Sequence, residues 1–152
     1  MADGQLPQEN QAIRAKVRLD FKGTEKPGKL FFRGKSIEKV AEEIRENNVA
    51  AFRNIPLQGI NIEDIDIGNE VYTVYDEVNN SDIAYAPVIL DVMADTLEDL
   101  VRLVSREDFR KIDVLFPDVL SLSQVEAERV LFRVAEEVKQ YRNNMERKYN
   151  LK

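Results

Sequence analysis

Apolar and charged side chains alternate strictly over residues 13–22, near the start of the chain. A period of two places the apolar side chains on one face of a strand and the charged ones on the other. We therefore predict a strand here, with one buried and one solvated face. Turn-forming residues at 23–28 predict a hairpin, with Lys29–Arg33 returning as its second strand.

A helix is predicted next, because Ser36 can cap a run whose apolar positions repeat with helical spacing as far as Asn48. After it, Val49–Phe52 predicts a short strand. We expect Asn54–Gly68 to be an irregular connection, since a proline and a glycine interrupt its pattern.

Two further strands are expected on either side of a polar turn. Glu70–Glu77 is rich in β-branched and aromatic residues, and Ile83–Met93 is largely apolar. Pro87 has no backbone N–H to donate, so the second of these strands should lie at a sheet edge or bulge at this position.

The last third of the chain predicts a helix, a strand and a second helix. Asp95–Asp99 opens the first helix and Lys111–Phe116 is the strand, so residues 88–116 form a candidate β-α-β unit. A Ser-x-x-Glu capping box at residues 123–126 starts the second helix, which meets no Gly or Pro before about residue 149.

This order of elements predicts an α+β fold, with a mainly antiparallel sheet, helices on one face and a long C-terminal helix. Part of the sheet fits a ferredoxin-like arrangement. We expect residues 1–10 to be a disordered tail and residues 11–122 to form the α+β domain. Residues 123–152 should be the C-terminal helix, packed on the domain and extending from it.

The last helix carries a seam of apolar side chains spaced alternately by four and three residues, as at the a and d positions of coiled coils. At a length of about 37 Å, it can cover the sheet over its first half only. We expect its later turns to contact a second copy or another protein; a seam packed wholly within the chain is the alternative. The predicted partner interface is Leu131, Val134, Val138, Tyr141 and Met145.

The sequence has no histidine and no cysteine. It therefore lacks the usual acid–base group near neutral pH, the strongest common nucleophile, and the thiolate and imidazole ligands of metals. We predict no catalytic residue and no cofactor. Charged residues make up 33% of the chain while Cys, His and Trp are absent, a composition that leans toward thermophilic proteins.

Residues 1–7 have no basic start and no apolar core, so no signal peptide is predicted. No membrane span is predicted either, because the longest uncharged apolar run has eight residues against the ~18 that a bilayer requires. We expect a cytoplasmic protein without membrane contact.

The net charge of −6 conceals a segregation: residues 11–35 hold eight basic and two acidic side chains, and residues 36–99 hold three basic and fifteen acidic ones. Such a separation suits docking between two copies or folding back within one.

A nucleic-acid-binding domain is the alternative function. Its binding face would be the charged side of the first strand, with Arg14, Lys16 and Arg18, and with Arg33 nearby if the hairpin forms. Faces of this kind also stack bases on aromatic side chains, whereas Phe21 shares the apolar side of the strand. Since the chain is also acidic overall, we do not expect nucleic acid to bind.

A carboxylate- or metal-dependent enzyme is the third alternative, because Glu63, Asp64, Asp66 and Glu70 offer oxygen ligands and acid–base groups. Their spacing does not match an EF-hand loop, in which Gly68 would occupy a ligand position, so we predict a solvated segment and no metal site. The sequence therefore favours a non-enzymatic domain that acts through protein–protein association, as a homodimer or as a subunit of an assembly.

Overall fold

The computed structural model describes residues 12–25 and 35–149, which hold five strands and three helices. In chain order the elements are β1 (Ile13–Gly23), α1 (Ile37–Asn54), β2 (Ile60–Asp66), β3 (Tyr72–Asp76), β4 (Ser81–Ala94), α2 (Leu97–Val104), β5 (Phe109–Phe116) and α3 (Gln124–Tyr149). The predicted tail, residues 1–10, and the predicted hairpin strand, Lys29–Arg33, lie outside the described residues.

β1 lies at the centre of the sheet, where it pairs antiparallel with β4 along its whole length and with β5 over Arg14–Leu19. β4 and β5 are therefore parallel to each other. α2 joins them across β1 as a split β-α-β unit, which confirms the unit predicted over residues 88–116. With β2 beyond β4, the strand order β2-β4-β1-β5 is a ferredoxin-like arrangement.

α1 and α2 cover one face of the sheet. Every second side chain of β1 from Ile13 onward is buried on this face, together with the facing side chains of β4. The helices add Val49 and Phe52 from α1 and Leu100 and Leu103 from α2. The predicted α+β fold, with an antiparallel sheet, helices on one face and a long C-terminal helix, is confirmed.

β2 and β3 lie end to end along the same edge of β4, and Pro87 falls in the gap between them. Arg45 from α1 fills this gap, because its Nη1 donates to the carbonyl oxygens of Pro87 (3.2 Å) and Asn69 (3.1 Å). The nitrogen and the carbonyl group of one residue point to the same side of a strand, so the missing N–H of Pro87 faces the gap as well. β4 is thus a central strand that is open only locally at its proline.

α1 is longer than the sequence predicts. It continues through Val49–Phe52 to Asn54, so the short strand predicted there is wrong. Asn48 lies within the helix, where its Nδ2 donates to the Ile44 carbonyl oxygen (2.8 Å). Val49 and Phe52 then extend its buried face.

The irregular connection predicted for Asn54–Gly68 is wrong in its second half, where Ile60–Asp66 forms β2. Ile60 and Ile62 alternate with polar residues as a strand requires, but Glu63 is an extra residue opposite β4 and the inward positions resume at Ile65. This bulge breaks the period of two and so hides the strand in the sequence.

Candidate association surface

α3 is the longest element of the described chain, with 26 residues. At a rise of ~1.5 Å per residue it extends over about 39 Å. Its start is fixed by Ser123, whose Oγ accepts a hydrogen bond from the Glu126 N–H (3.1 Å) and whose carbonyl oxygen accepts one from the Ala127 N–H (2.9 Å). The predicted start of the helix, with Ser123 as its N-cap, is therefore confirmed.

α3 packs mainly against α2, which is only eight residues long. A helix of that length spans ~12 Å and covers about a third of α3. An ion pair joins Arg133 Nη2 to Glu98 Oε1 (3.2 Å), while Arg133 Nε is buried and has no hydrogen-bond partner among the described residues. Because this contact is limited, every described residue of α3 keeps part of its surface exposed to solvent.

The apolar seam of α3 is exposed in the single chain. Leu131 is 69% exposed, Val138 49% and Tyr141 59%, while Val134 is also exposed and Met145 is partly covered. The structure therefore places the five predicted interface residues along one side of α3, with four of them exposed and Met145 partly covered. The contact they would make with a partner stays a prediction.

Exposed apolar side chains concentrate in the C-terminal third. Among the described residues, twelve of the seventeen large exposed apolar side chains lie between Val114 and Tyr149. Three of the twelve belong to Val114–Phe116, at the end of β5, whose outer edge has no strand partner within the described chain. Sequence reasoning missed this strand end, although three consecutive apolar residues are the signal for it. Concentrated apolar exposure marks interaction surfaces.

The opposite face of the sheet, which no described helix covers, carries the basic residues of β1. These are Arg14, Lys16 and Arg18; Arg33 lies outside the described residues. Arg14 donates to Asp91 through Nε (3.2 Å) and Nη2 (2.8 Å), and Arg18 donates to Asp20 through the same two groups (2.9 and 3.2 Å). The hydrogen bonds from Arg14 lower the pKa of Asp91 and raise that of Arg14. Much of the positive charge is thus paired within the sheet.

Asp20 is a buried carboxylate on this open face, 2% exposed. Besides Arg18, it contacts Arg110 Nε (3.4 Å) and accepts a hydrogen bond from the Tyr72 hydroxyl. Arg110 is the extra residue of a bulge in β5, which turns its side chain toward this carboxylate. Burial and the hydrogen bond to Asp20 raise the pKa of Tyr72, so the phenol stays protonated.

Two aromatic side chains lie on the same face as the basic residues. Tyr72 and Tyr85 stack with ring centroids 5.4 Å apart, and the Arg110 guanidinium lies 5.7 Å from the Tyr85 centroid. Tyr85 pairs directly with Lys22 of β1, which fixes its face. From the sequence, Tyr72 and Tyr85 are expected only to pack within their strands, and Phe21 lies on the apolar side of β1. The alternation of β4 around Tyr85 is the signal that places its ring on the basic face.

The acidic residues considered as ligands or catalytic groups are partly engaged in local bonds. Glu63 accepts a hydrogen bond from Asn61 Nδ2 (3.0 Å), and Asp66 accepts one from the Gly68 N–H (2.7 Å). In the part of the chain that the structure describes, no group of three or more acidic side chains is placed to hold a metal ion.

Comparison with protein-family models, curated proteins and solved structures finds no match for this chain. No helix in residues 12–25 and 35–149 combines the length and the apolar character that a bilayer span requires. A function is therefore inferred from the surface of the molecule, and the most pronounced feature of that surface is the exposed apolar seam of α3.

Proposed function

We propose that this chain is a non-enzymatic domain that acts through protein–protein association and forms a homodimer through α3. The observation that carries the proposal is α3 itself, which has 26 residues, an apolar seam and no buried side chain. In water, a helix gains most of its stability by packing an apolar face against a neighbour. Since α2 covers only a fraction of α3, a partner supplies the rest.

The seam is complementary to itself, which favours a second copy over an unrelated partner. Its a and d side chains repeat through about three heptads, so another α3 offers an apolar side chain for each layer. Arg142 flanks the seam and would meet Glu137 of the second copy in a parallel pair, or Glu128 in an antiparallel pair. Either orientation therefore adds two ion pairs to the apolar contact.

Sedimentation equilibrium tests the dimer directly. We expect the wild-type chain to sediment at twice its mass of 17.5 kDa at micromolar concentration, and the Val138→Glu/Met145→Glu variant to sediment as a monomer. An unpaired carboxylate buried in the contact costs several kcal/mol, so the dissociation constant should rise by at least about 100-fold.

Asn143→Glu provides the matched control, because this exposed residue lies on the side of α3 away from Val138 and Tyr141. The control should dimerise like the wild type, and circular dichroism should show that all three proteins keep their helices. A wild-type chain that remains monomeric at several hundred micromolar, or a double variant that remains dimeric, would contradict the proposal.

A further inference from the structure

We propose that the outer edge of β2 binds an extended segment of another protein, in which basic and apolar residues alternate, as an additional strand of the sheet. Among residues 12–25 and 35–149, β2 pairs with a strand on one side only, where its partner is β4. Its other side borders a groove of about 470 Å³, whose opposite wall is the C-terminal end of α1 and the residues that follow it. This site is separate from α3, so it does not depend on the proposed dimer.

The backbone of β2 is available for pairing along this groove. Among the described residues, its one backbone hydrogen bond outside the ladder with β4 joins the Ile60 N–H to the Leu57 carbonyl oxygen (3.3 Å). The other outward N–H and C=O groups of Ile60–Asp66 therefore have no backbone partner within the described part of the chain, and they can pair with an added strand. An extended peptide added to such an edge gains main-chain hydrogen bonds that do not depend on its sequence.

The groove has an apolar lining that can receive alternate side chains of the added strand. Phe52 forms part of it, and Ile55 is 62% exposed there. Ile60, Ile62 and Ile65 are only partly covered, although they pack against the core. Side chains on one face of a strand recur every second residue, so an apolar residue at alternate positions of the peptide meets this lining.

The negative charge of the groove favours basic residues at the remaining positions of the added peptide. Glu63 and Asp64 line it, against Arg53 as the single basic residue of the lining. The C-terminal carbonyl groups of α1, which ends at Asn54 in the groove wall, add partial negative charge. Residues 54–101 hold eleven acidic side chains and no Lys or Arg, so basic side chains near these carboxylates come from other elements, as Arg14 of β1 does near Glu63.

The same charges argue against a second copy at this edge. Two β2 edges placed side by side would bring Glu63 and Asp64 of one copy close to those of the other, and like charges across a strand pair are destabilising. A basic segment from a different protein meets no such repulsion between like charges.

Fluorescence anisotropy with a labelled seven-residue peptide tests this site. The probe alternates lysine or arginine with valine, and the control peptide carries glutamate in place of each basic residue. We expect the basic peptide to bind and the acidic one not to bind at concentrations up to about 1 mM, the weak end of ordinary affinities. Methylation of alternate backbone nitrogens in the basic peptide should abolish its binding, because the strand ladder needs those N–H groups.

Charge reversal in the protein locates the binding site. Glu63→Lys/Asp64→Lys should weaken binding of the basic peptide by at least about 10-fold, since it inverts the charge of the groove. Glu77→Lys/Asp82→Lys makes the same net change at exposed residues outside the groove and should alter the affinity less than about 3-fold. Val138→Glu/Met145→Glu should bind the peptide normally, which separates this proposal from the dimer.

Three results would overturn the proposal. They are a basic peptide that does not bind, binding that Glu63→Lys/Asp64→Lys leaves intact, and equal binding of the acidic peptide. If Glu63→Lys/Asp64→Lys instead converts a dimer to a monomer in sedimentation, the groove is a contact between copies and not a site for a foreign segment.

Discussion

Gly23 lies at the end of β1 directly beneath the first turn of α1, and a Cβ atom there would overlap the Ile37 carbonyl oxygen and the Ala41 nitrogen. Backbone atoms of a helix cannot move aside as a flexible side chain can. We therefore expect Gly23→Ala to lower the free energy of unfolding by about 1–3 kcal/mol, the usual cost of overpacking.

Urea denaturation measures this effect. Gly68→Ala serves as the control, because only a carboxylate oxygen of the exposed Asp66 lies near the added methyl group. That substitution should change stability by less than about 0.5 kcal/mol, as surface substitutions usually do. Equal stability of Gly23→Ala and the wild type would show that α1 does not pack on β1 as closely as described.

The phenol of Tyr72 makes the free energy of unfolding depend on pH in the alkaline range. Burial, followed by the hydrogen bond to Asp20, raises the pKa of its phenol above the ordinary value of about 10. The folded chain thus holds this proton more tightly than the unfolded chain. The phenol therefore makes its full contribution to the free energy of unfolding below pH 10, and this contribution is lost as the pH rises above 10. We expect the free energy of unfolding to fall less steeply above about pH 10 in Tyr72→Phe than in the wild type.

Phenolate absorbance provides the direct measurement. Tyr72→Phe should remove a component of the titration that develops only above about pH 10. Tyr149→Phe, which removes an exposed tyrosine, should leave that component in place. If the late component survives in Tyr72→Phe, the hydrogen bond to Asp20 does not hold the proton as the structure indicates.

At the scale of elements, the sequence predicts those whose period is unbroken. The alternation of β1 and the capped start of α3 are both visible in single residues and are both confirmed. β2 escapes prediction because the bulge at Glu63 shifts its alternation. The end of α1 is not predicted because asparagine has a low helix propensity, whereas the burial of Val49 and Phe52 against the sheet favours continuation of the helix past Asn48.

The placement of Pro87 shows a further limit of sequence reasoning about elements. A missing N–H predicts an unpaired position but does not identify how the fold provides one. The fold provides it by dividing one sheet edge between β2 and β3 and by inserting Arg45 between them. These residues are far apart in the sequence, so only the assembled sheet brings them together.

At the scale of the whole molecule, the seam of α3 could be predicted from its spacing, since helical periodicity alone places Leu131, Val138 and Tyr141 on one side. The spacing and length of α3 also predict that its later turns are uncovered. They do not predict that its first half is exposed as well, because α3 packs mainly against the short α2 and not over the sheet. The same holds for the open sheet face. Arg14 is visible in the sequence, but its neutralisation by Asp91 depends on the register between β1 and β4.

The strand registers also decide whether the open face of the sheet can bind nucleic acid. The open face combines the stacked rings of Tyr72 and Tyr85 with basic side chains, an arrangement that can bind single strands. Its charges are nearly balanced, however. The strand registers and contacts place the basic residues Arg14, Lys16, Arg18, Lys22, Arg110 and Lys111 beside the acidic residues Asp20, Asp64, Asp66, Asp91 and Asp113.

Affinity for nucleic acid comes largely from cations that replace the counterions of phosphates, and arginines held by carboxylates do not contribute in this way. We therefore expect no retention of a single- or double-stranded oligonucleotide at about 150 mM salt, measured by fluorescence anisotropy. Asp91→Asn, which frees Arg14 and adds positive charge to the face, should increase the weak binding seen at low salt. Tight binding of the wild type at about 150 mM salt, lost in Arg14→Glu/Lys16→Glu/Arg18→Glu, would instead make this face a nucleic-acid site despite its paired charges.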